Sequence, residues 1–180
     1  MIQEIYSSYH MKVLVTGGAG YVGSLLVPIL LQKGHHVQVV DNLLFNQTAA
    51  IIANFFHDNF HFTKGDIRDE EVMKKLVDEA DVIIHLAAIV GEPACRVDSH
   101  LATSVNSDAS QLLNRLRGEK PLIFSSTGSN YGKVEGVCTE ETPAVQIVGT
   151  YVVNPPAPEL TIGPVTSPGL SGPRRRGMGD

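Results

Sequence analysis

Residues 12 to 41 read KVLVTGGAGYVGSLLVPILLQKGHHVQVVD, and the fold turns on how this stretch is read. KVLVT (12–16) and HVQVVD (36–41) are β-rich runs, while GYVGSLLVPILLQKG (20–34) repeats its apolar residues every three or four positions. A strand, a helix and a second strand in immediate succession predict a parallel βαβ unit with a right-handed crossover. Glycines stand at 17, 20 and 23, directly after the first strand and at the opening of the helix. Gly17 suits a tight turn, Gly20 lets a pyrophosphate approach the backbone, and Gly23 lets the helix pack close to the sheet. The helix N-terminus, with Tyr21 and Val22 in its first turn, would face the phosphate. Asp41 ends the second strand, where a carboxylate can accept both ribose hydroxyls of NAD and would repel the 2′-phosphate of NADP. A purely structural glycine turn is the competing reading, and the strand before and helix after weigh against it.

Further along, the alternation continues. FHFTKGD (60–66), DVIIHLAA (81–88) and PLIFSS (121–126) are β-rich; NQTAAIIANFFHD (46–58), RDEEVMKKLVDEA (68–80) and SVNSDASQLLNRLRG (104–118) have helical periodicity. The expected fold class is α/β, a doubly wound parallel sheet of Rossmann type. Its expected extent is residues 11 to 151, after an extension over 1 to 10 and before an irregular Pro/Gly/Arg-rich tail over 152 to 180. In GDIRD (65–69), Asp66 either hydrogen-bonds an adenine amino group or simply makes a turn and helix cap, and the residues alone leave both open.

Composition narrows the function classes. The 180 residues are 43% hydrophobic and 18% charged, enough for one core and one domain. A net charge of -5 offers no general attraction for nucleic acid or an anionic membrane, so small molecules or other proteins are the expected partners. Cys95 and Cys138 are far apart and in no metal-ligand spacing, which suits a reducing compartment. No N-terminal secretory pattern and no apolar run of about 18 residues occurs, so a cytoplasmic location is expected. The seven histidines show no ligand spacing, RRR at 174–176 reads as solvated tail, and Ser125 and Ser126 lack a visible base. No metal is expected.

Taken in order, TGGAGYVG (16–23), DNLLFN (41–46), GDIRD, DVIIHLAA, VN (105–106) and SSTGSNYG (125–132) resemble the extended short-chain dehydrogenase/reductase family. Within it the likeness is to the NAD-dependent sugar-nucleotide epimerases and dehydratases. The resemblance implies Asp41 and Asn42 at the adenosine ribose, Asp66 and Ile67 at the adenine, and Leu86, Ala87 and Ala88 along the cofactor. It implies Asn106 as a support of the active-site geometry, Thr127 as the hydrogen-bond partner of a sugar hydroxyl, and Tyr151 as the base. It also implies a nucleotide-sugar substrate and a possible homodimer.

Such a tyrosine removes a hydroxyl proton while the sugar is transiently oxidised. A phenol of ordinary pKa, about 10, must be acidified for that, a task the family gives to a lysine four residues on. Here that position is Pro155, and Pro156 and Pro158 follow, so no regular helix can carry a lysine on the tyrosine's face. Val90 also stands where some members have lysine. A deletion and an altered reading frame explain the tail equally well. Three outcomes follow as expectations: a family enzyme with an incomplete catalytic set, an NAD-binding module without turnover, or an unstable remnant.

Overall fold

The computed structural model of the chain describes residues 10–125 and residue 139. Five strands, β1 (Lys12–Thr16), β2 (His36–Asp41), β3 (Phe60–Lys64), β4 (Val82–His85) and β5 (Leu122–Phe124), form one sheet in the order β3-β2-β1-β4-β5. Every pairing is parallel, so the α/β doubly wound expectation holds. The helices are α1 (Tyr21–Gln32), α2 (Ala49–Ile52), α3 (Glu70–Glu79), α4 (Glu92–Val97), α5 (Ser99–Thr103) and α6 (Ala109–Leu116).

Strand periodicity sends alternate residues to opposite faces, and each face is covered. Val13 and Val15 of β1 pack with Val27 and Leu31 of α1 and with Val37, Val39, Phe60 and Ile84. Leu14, between them, packs on the other face with Met73, Leu76 and Val77 of α3 and Leu113 of α6. In α3, Asp69 accepts a hydrogen bond from Val72 N (3.1 Å), and Glu70 and Glu71 occupy the first turn, where the helix dipole favours negative charge.

β1 and β2 run as read from the sequence, and the other elements differ for identifiable reasons. β4 ends at His85 instead of Ala88 because its neighbour β1 ends at Thr16. Leu86 N makes the last bond to the Thr16 carbonyl (3.1 Å), and the Ala87 amide donates to the Thr16 side chain instead (3.2 Å). β3 stops at Lys64, opposite Asp41, the last residue of β2, and β5 is limited by its register, Phe124 opposite His85. The segment 46–58 holds only the short α2 and a 3-10 turn (Ala53–Phe56), which brings Phe55 edge-on to Phe60 and Phe62. The unassigned stretch after β4 forms α4 and α5, separated at Asp98, whose extended backbone and side-chain bond to Leu101 N start the second helix. The helix expected over 104–118 opens with a π turn (Ser104–Asp108) before α6.

Candidate active site

Because all strands among the described residues are parallel, β1, β2 and β4 end at the same edge of the sheet. The chain reverses its direction of growth between β1 and β4, and a doubly wound sheet leaves a crevice at such a switch point. The glycine loop occupies it. Gly17 has φ +70, and a Cβ there would lie 2.6 Å from Ala87 N, so the turn admits no side chain. At Gly20 a Cβ would meet only the Gly17 carbonyl, at 3.1 Å, and its outer side is open. The close approach expected of Gly23 is divided between two residues. Gly23 packs on Gly18, 2.5 Å from a hypothetical Cβ, and Gly18 packs on Val39 of β2, because the loop itself lies between helix and sheet.

The N-terminus of α1 is uncapped: Gly20 provides no side-chain bond, and no acidic residue lies in the first turn. The first-turn amides have no intrahelical acceptor, and no acidic residue of the helix's own first turn offsets the positive end of its dipole. The side chains of Tyr21 and Val22 are exposed beside them.

At the end of β2, the Asp41 carboxylate is held by two main-chain amides. Oδ2 accepts from Ala19 of the glycine loop (3.0 Å) and Oδ1 from Leu43 (2.8 Å). Each oxygen keeps a lone pair for a further donor. Asn42 Oδ1 accepts from Leu44 N (3.0 Å). At the end of β3, Asp66 accepts from Arg68 N, Nε and an Nη (2.9, 2.9 and 2.6 Å), so it makes the turn and pairs with the guanidinium. Those side-chain bonds hold its carboxyl below the ordinary carboxylate range against the opposing effect of partial burial. Ile67 is buried with Met73 and Ile89, so only its main chain can meet a ligand.

At the end of β4, Leu86 and Ala87 are half-buried against opposite cores and Ala88 is exposed. Asn106, in the π turn, clamps the next residue: its Oδ1 accepts from Ile89 N (2.8 Å) and its Nδ2 donates to Ile89 O (2.9 Å). With both ends of its amide on one peptide pair, Asn106 acts on the loop that follows β4. Beneath it lies a group that the sequence reading leaves without a role. His85 is buried, with Thr16 Oγ1 2.6 Å from Nδ1 and Ser110 Oγ 2.9 Å from Nε2. Burial pushes its pKa down from 6.5 to about 4, so the ring is neutral at physiological pH. Ser110, a hydroxyl on the buried face of α6, carried no signal that pointed to His85, 25 residues away. Thr16 carried none beyond ending a strand.

These residues fit a dinucleotide. An uncapped helix N-terminus beside an open glycine suits a pyrophosphate, and an anchored carboxylate with spare lone pairs suits a pair of ribose hydroxyls. Thr127, Tyr151 and Pro155 lie outside the described residues. Among the described residues, no group of three or more His, Cys, Asp or Glu side chains could hold a metal ion, and no helix is long and apolar enough to cross a membrane.

The family model described as "NAD dependent epimerase/dehydratase family" matches residues 13–153. A UDP-glucose 4-epimerase of Streptomyces lividans is 35% identical over 151 residues, covering 80% of this chain and 43% of that protein. A UDP-N-acetyl-alpha-D-glucosaminuronate decarboxylase of Bacillus cytotoxicus is 35% identical over 128 residues, 68% of this chain and 38% of that protein. Among solved structures, the UDP-glucuronic acid 4-epimerase of Bacillus cereus, in complex with UDP-glucuronic acid and NAD, superposes with a TM-score of 0.69 at 31% identity. That match covers 75% of this chain and 46% of that one. The chain thus spans less than half the length of these relatives. With the glycine loop, the switch-point crevice and a family match over most of its length, the chain belongs to the NAD dependent epimerase/dehydratase family.

Proposed function

We propose that this chain binds NAD across the β1/β4 switch point and serves as the cofactor half of an enzyme acting on a nucleotide sugar. The observation that carries the reading is the pairing of an uncapped α1 N-terminus with Asp41, anchored 3.0 Å from Ala19 N. The first-turn amides would hold the pyrophosphate, with Gly17 and Gly20 allowing its approach and Tyr21 and Val22 flanking it. Asp41 and Asn42 would take the adenosine ribose, and the Asp41 charge favours NAD over NADP. Asp66 and the Ile67 main chain would meet the adenine. Leu86, Ala87 and Ala88 would line the crevice, with Asn106 fixing the loop beyond them.

NAD, when bound, supplies reversible two-electron oxidation of a sugar hydroxyl. By resemblance, Thr127 would hydrogen-bond that hydroxyl and Tyr151 would accept its proton. The relatives' substrates support a UDP-sugar, and the relatives include both epimerases and a decarboxylase. Pro155, where the family's lysine is expected, favours a second reading, NAD binding with little or no turnover.

Calorimetric titration of the 180-residue chain with NAD and NADP tests the binding claim. NAD is expected to bind at least about tenfold more tightly, the scale of one repelled phosphate charge. No binding, or a preference for NADP, would refute it. Incubation with NAD and a panel of UDP-sugars then separates the two readings by whether product forms, and turnover that survives Tyr151→Phe would remove Tyr151 as the base.

A further inference from the structure

Four hydroxyl, ring and amide groups link the glycine loop to the wall opposite it, and their donor directions are fixed by one bond. Ser110 Oγ donates its single proton to the main-chain carbonyl of Asn106 (2.7 Å), so toward His85 it can only accept. Nε2 of His85 therefore carries the ring proton and Nδ1 is an acceptor. Thr16 must donate to Nδ1, which leaves its oxygen free to accept the Ala87 amide at 3.2 Å. The sequence of bonds is Ala87 N–H to Thr16, Thr16 to His85, His85 to Ser110, and Ser110 to the main-chain carbonyl of Asn106, whose side-chain amide separately holds Ile89. It leaves none of these groups unmatched, and it spans β1, β4 and α6.

We infer that His85 is a positioning residue: as a neutral, Nε2-protonated spacer it sets where the main chain of Ala87 and Ile89 stands against the glycine turn that receives the cofactor. A neutral imidazole is suited to this because it holds an acceptor and a donor at opposite edges of one rigid ring. Asparagine and glutamine carry both at a single end. Leucine of similar bulk would bury more cheaply but would leave the Thr16 and Ser110 hydroxyls unmatched. The effect reaches the ligand because Ala87 N lies 2.6 Å from where a Gly17 Cβ would be. A displaced Ala87 therefore moves against the turn itself.

The inference rests on the NAD reading only for its affinity measurement, and the experiment separates the two. In the unmodified apo protein, long-range ¹H–¹⁵N correlation of the imidazole is expected to show the Nε2–H tautomer at pH 7, and an Nδ1–H tautomer would overturn the relay. Amide exchange at Ala87 is expected to accelerate about tenfold or more in Thr16→Val, which removes its acceptor, and to stay within about threefold of wild type in Thr16→Ser. NAD affinity should follow the same pattern, about tenfold weaker in Thr16→Val and restored by Thr16→Ser. Should Thr16→Val not fold, Ser110→Ala breaks the other end, with faster exchange at Ile89 as its readout. Ala87 exchange indifferent to Thr16→Val overturns the inference, as does unchanged NAD affinity in a variant whose Ala87 exchange has accelerated. Absence of NAD binding by the unmodified chain, with Ala87 exchange still following Thr16, removes the cofactor reading and leaves the relay standing.

Discussion

The ends of β2 and β4 lie on either side of β1 at the same edge of the sheet, and they handle polarity in opposite ways. At the end of β2, the charged carboxylate of Asp41 is only half-buried and is held by two main-chain amides, of Ala19 and Leu43. At the end of β4, His85 is buried and neutral and is held by two side-chain hydroxyls. The contrast follows from solvation. A group meant to meet a ligand must keep its charge, so it stays near water and takes its geometry from the backbone. A group that only transmits position can go into the interior, provided every donor finds an acceptor.

The most damaging way to break this contrast is to push the two ends apart. Gly17→Ala places a Cβ at φ +70 and 2.6 Å from Ala87 N. A left-handed alanine costs about 1–2 kcal/mol and the overpacking about 1–3 more, so roughly 2–5 kcal/mol of stability should be lost in a urea melt, together with NAD binding.

Next in size is the pH response of His85. Its folded pKa, about 4, lies below the ordinary 6.5, so the unfolded chain binds the extra proton first as pH falls. Stability is therefore full above about pH 6.5 and declines toward pH 4, by about 3 kcal/mol from this group at 1.36 kcal/mol per unit. The groups against its ring, Thr16, Ser110 and Phe124, do not ionise in that range. Urea midpoints across pH 4–7 should show a slope that His85→Leu flattens. An equal slope in both proteins would place the buried ring in contact with water.

Asp41→Asn tests the opposite end. It keeps one acceptor and removes the charge, so affinity for NAD should fall by about tenfold while the preference over NADP shrinks, both read by titration. The smallest effect belongs to the exposed pair of Asp66 and Arg68, with side chains 30% and 39% exposed. Arg68→Ala should cost at most about 1 kcal/mol, while the Asp66 carboxyl, followed by NMR titration, rises back toward its ordinary range.

What the sequence made legible tracks how local each determinant is. β1 and β2 run where their apolar residues run, and Asp41 follows from a motif confined to thirty residues. The early end of β4 does not, because it is set by the end of β1, and neither does the breakdown of 46–58 into short turns, which is imposed by Phe55 packing on β3. The Thr16 and Ser110 partners of His85 are 69 and 25 residues away along the chain, beyond any spacing rule. Gly18 on Val39 escaped for the same reason: the contact lies between segments, not within one.

The parallel register carries one more consequence, for the order in which the crevice is assembled. Val13 pairs with Val37, 24 residues on, and with Val82, 69 residues on. Loop-closure entropy growing as 1.5 RT ln n makes the second pairing about 1 kcal/mol more costly to initiate. Loop-closure entropy therefore favours closing the βαβ unit of β1, α1 and β2, with its bond from Ala19 to Asp41, before β4 pairs with β1. The first forty-one residues hold both partners of that bond, whereas the opposite wall needs β4, where His85 stands between Thr16 and Ser110.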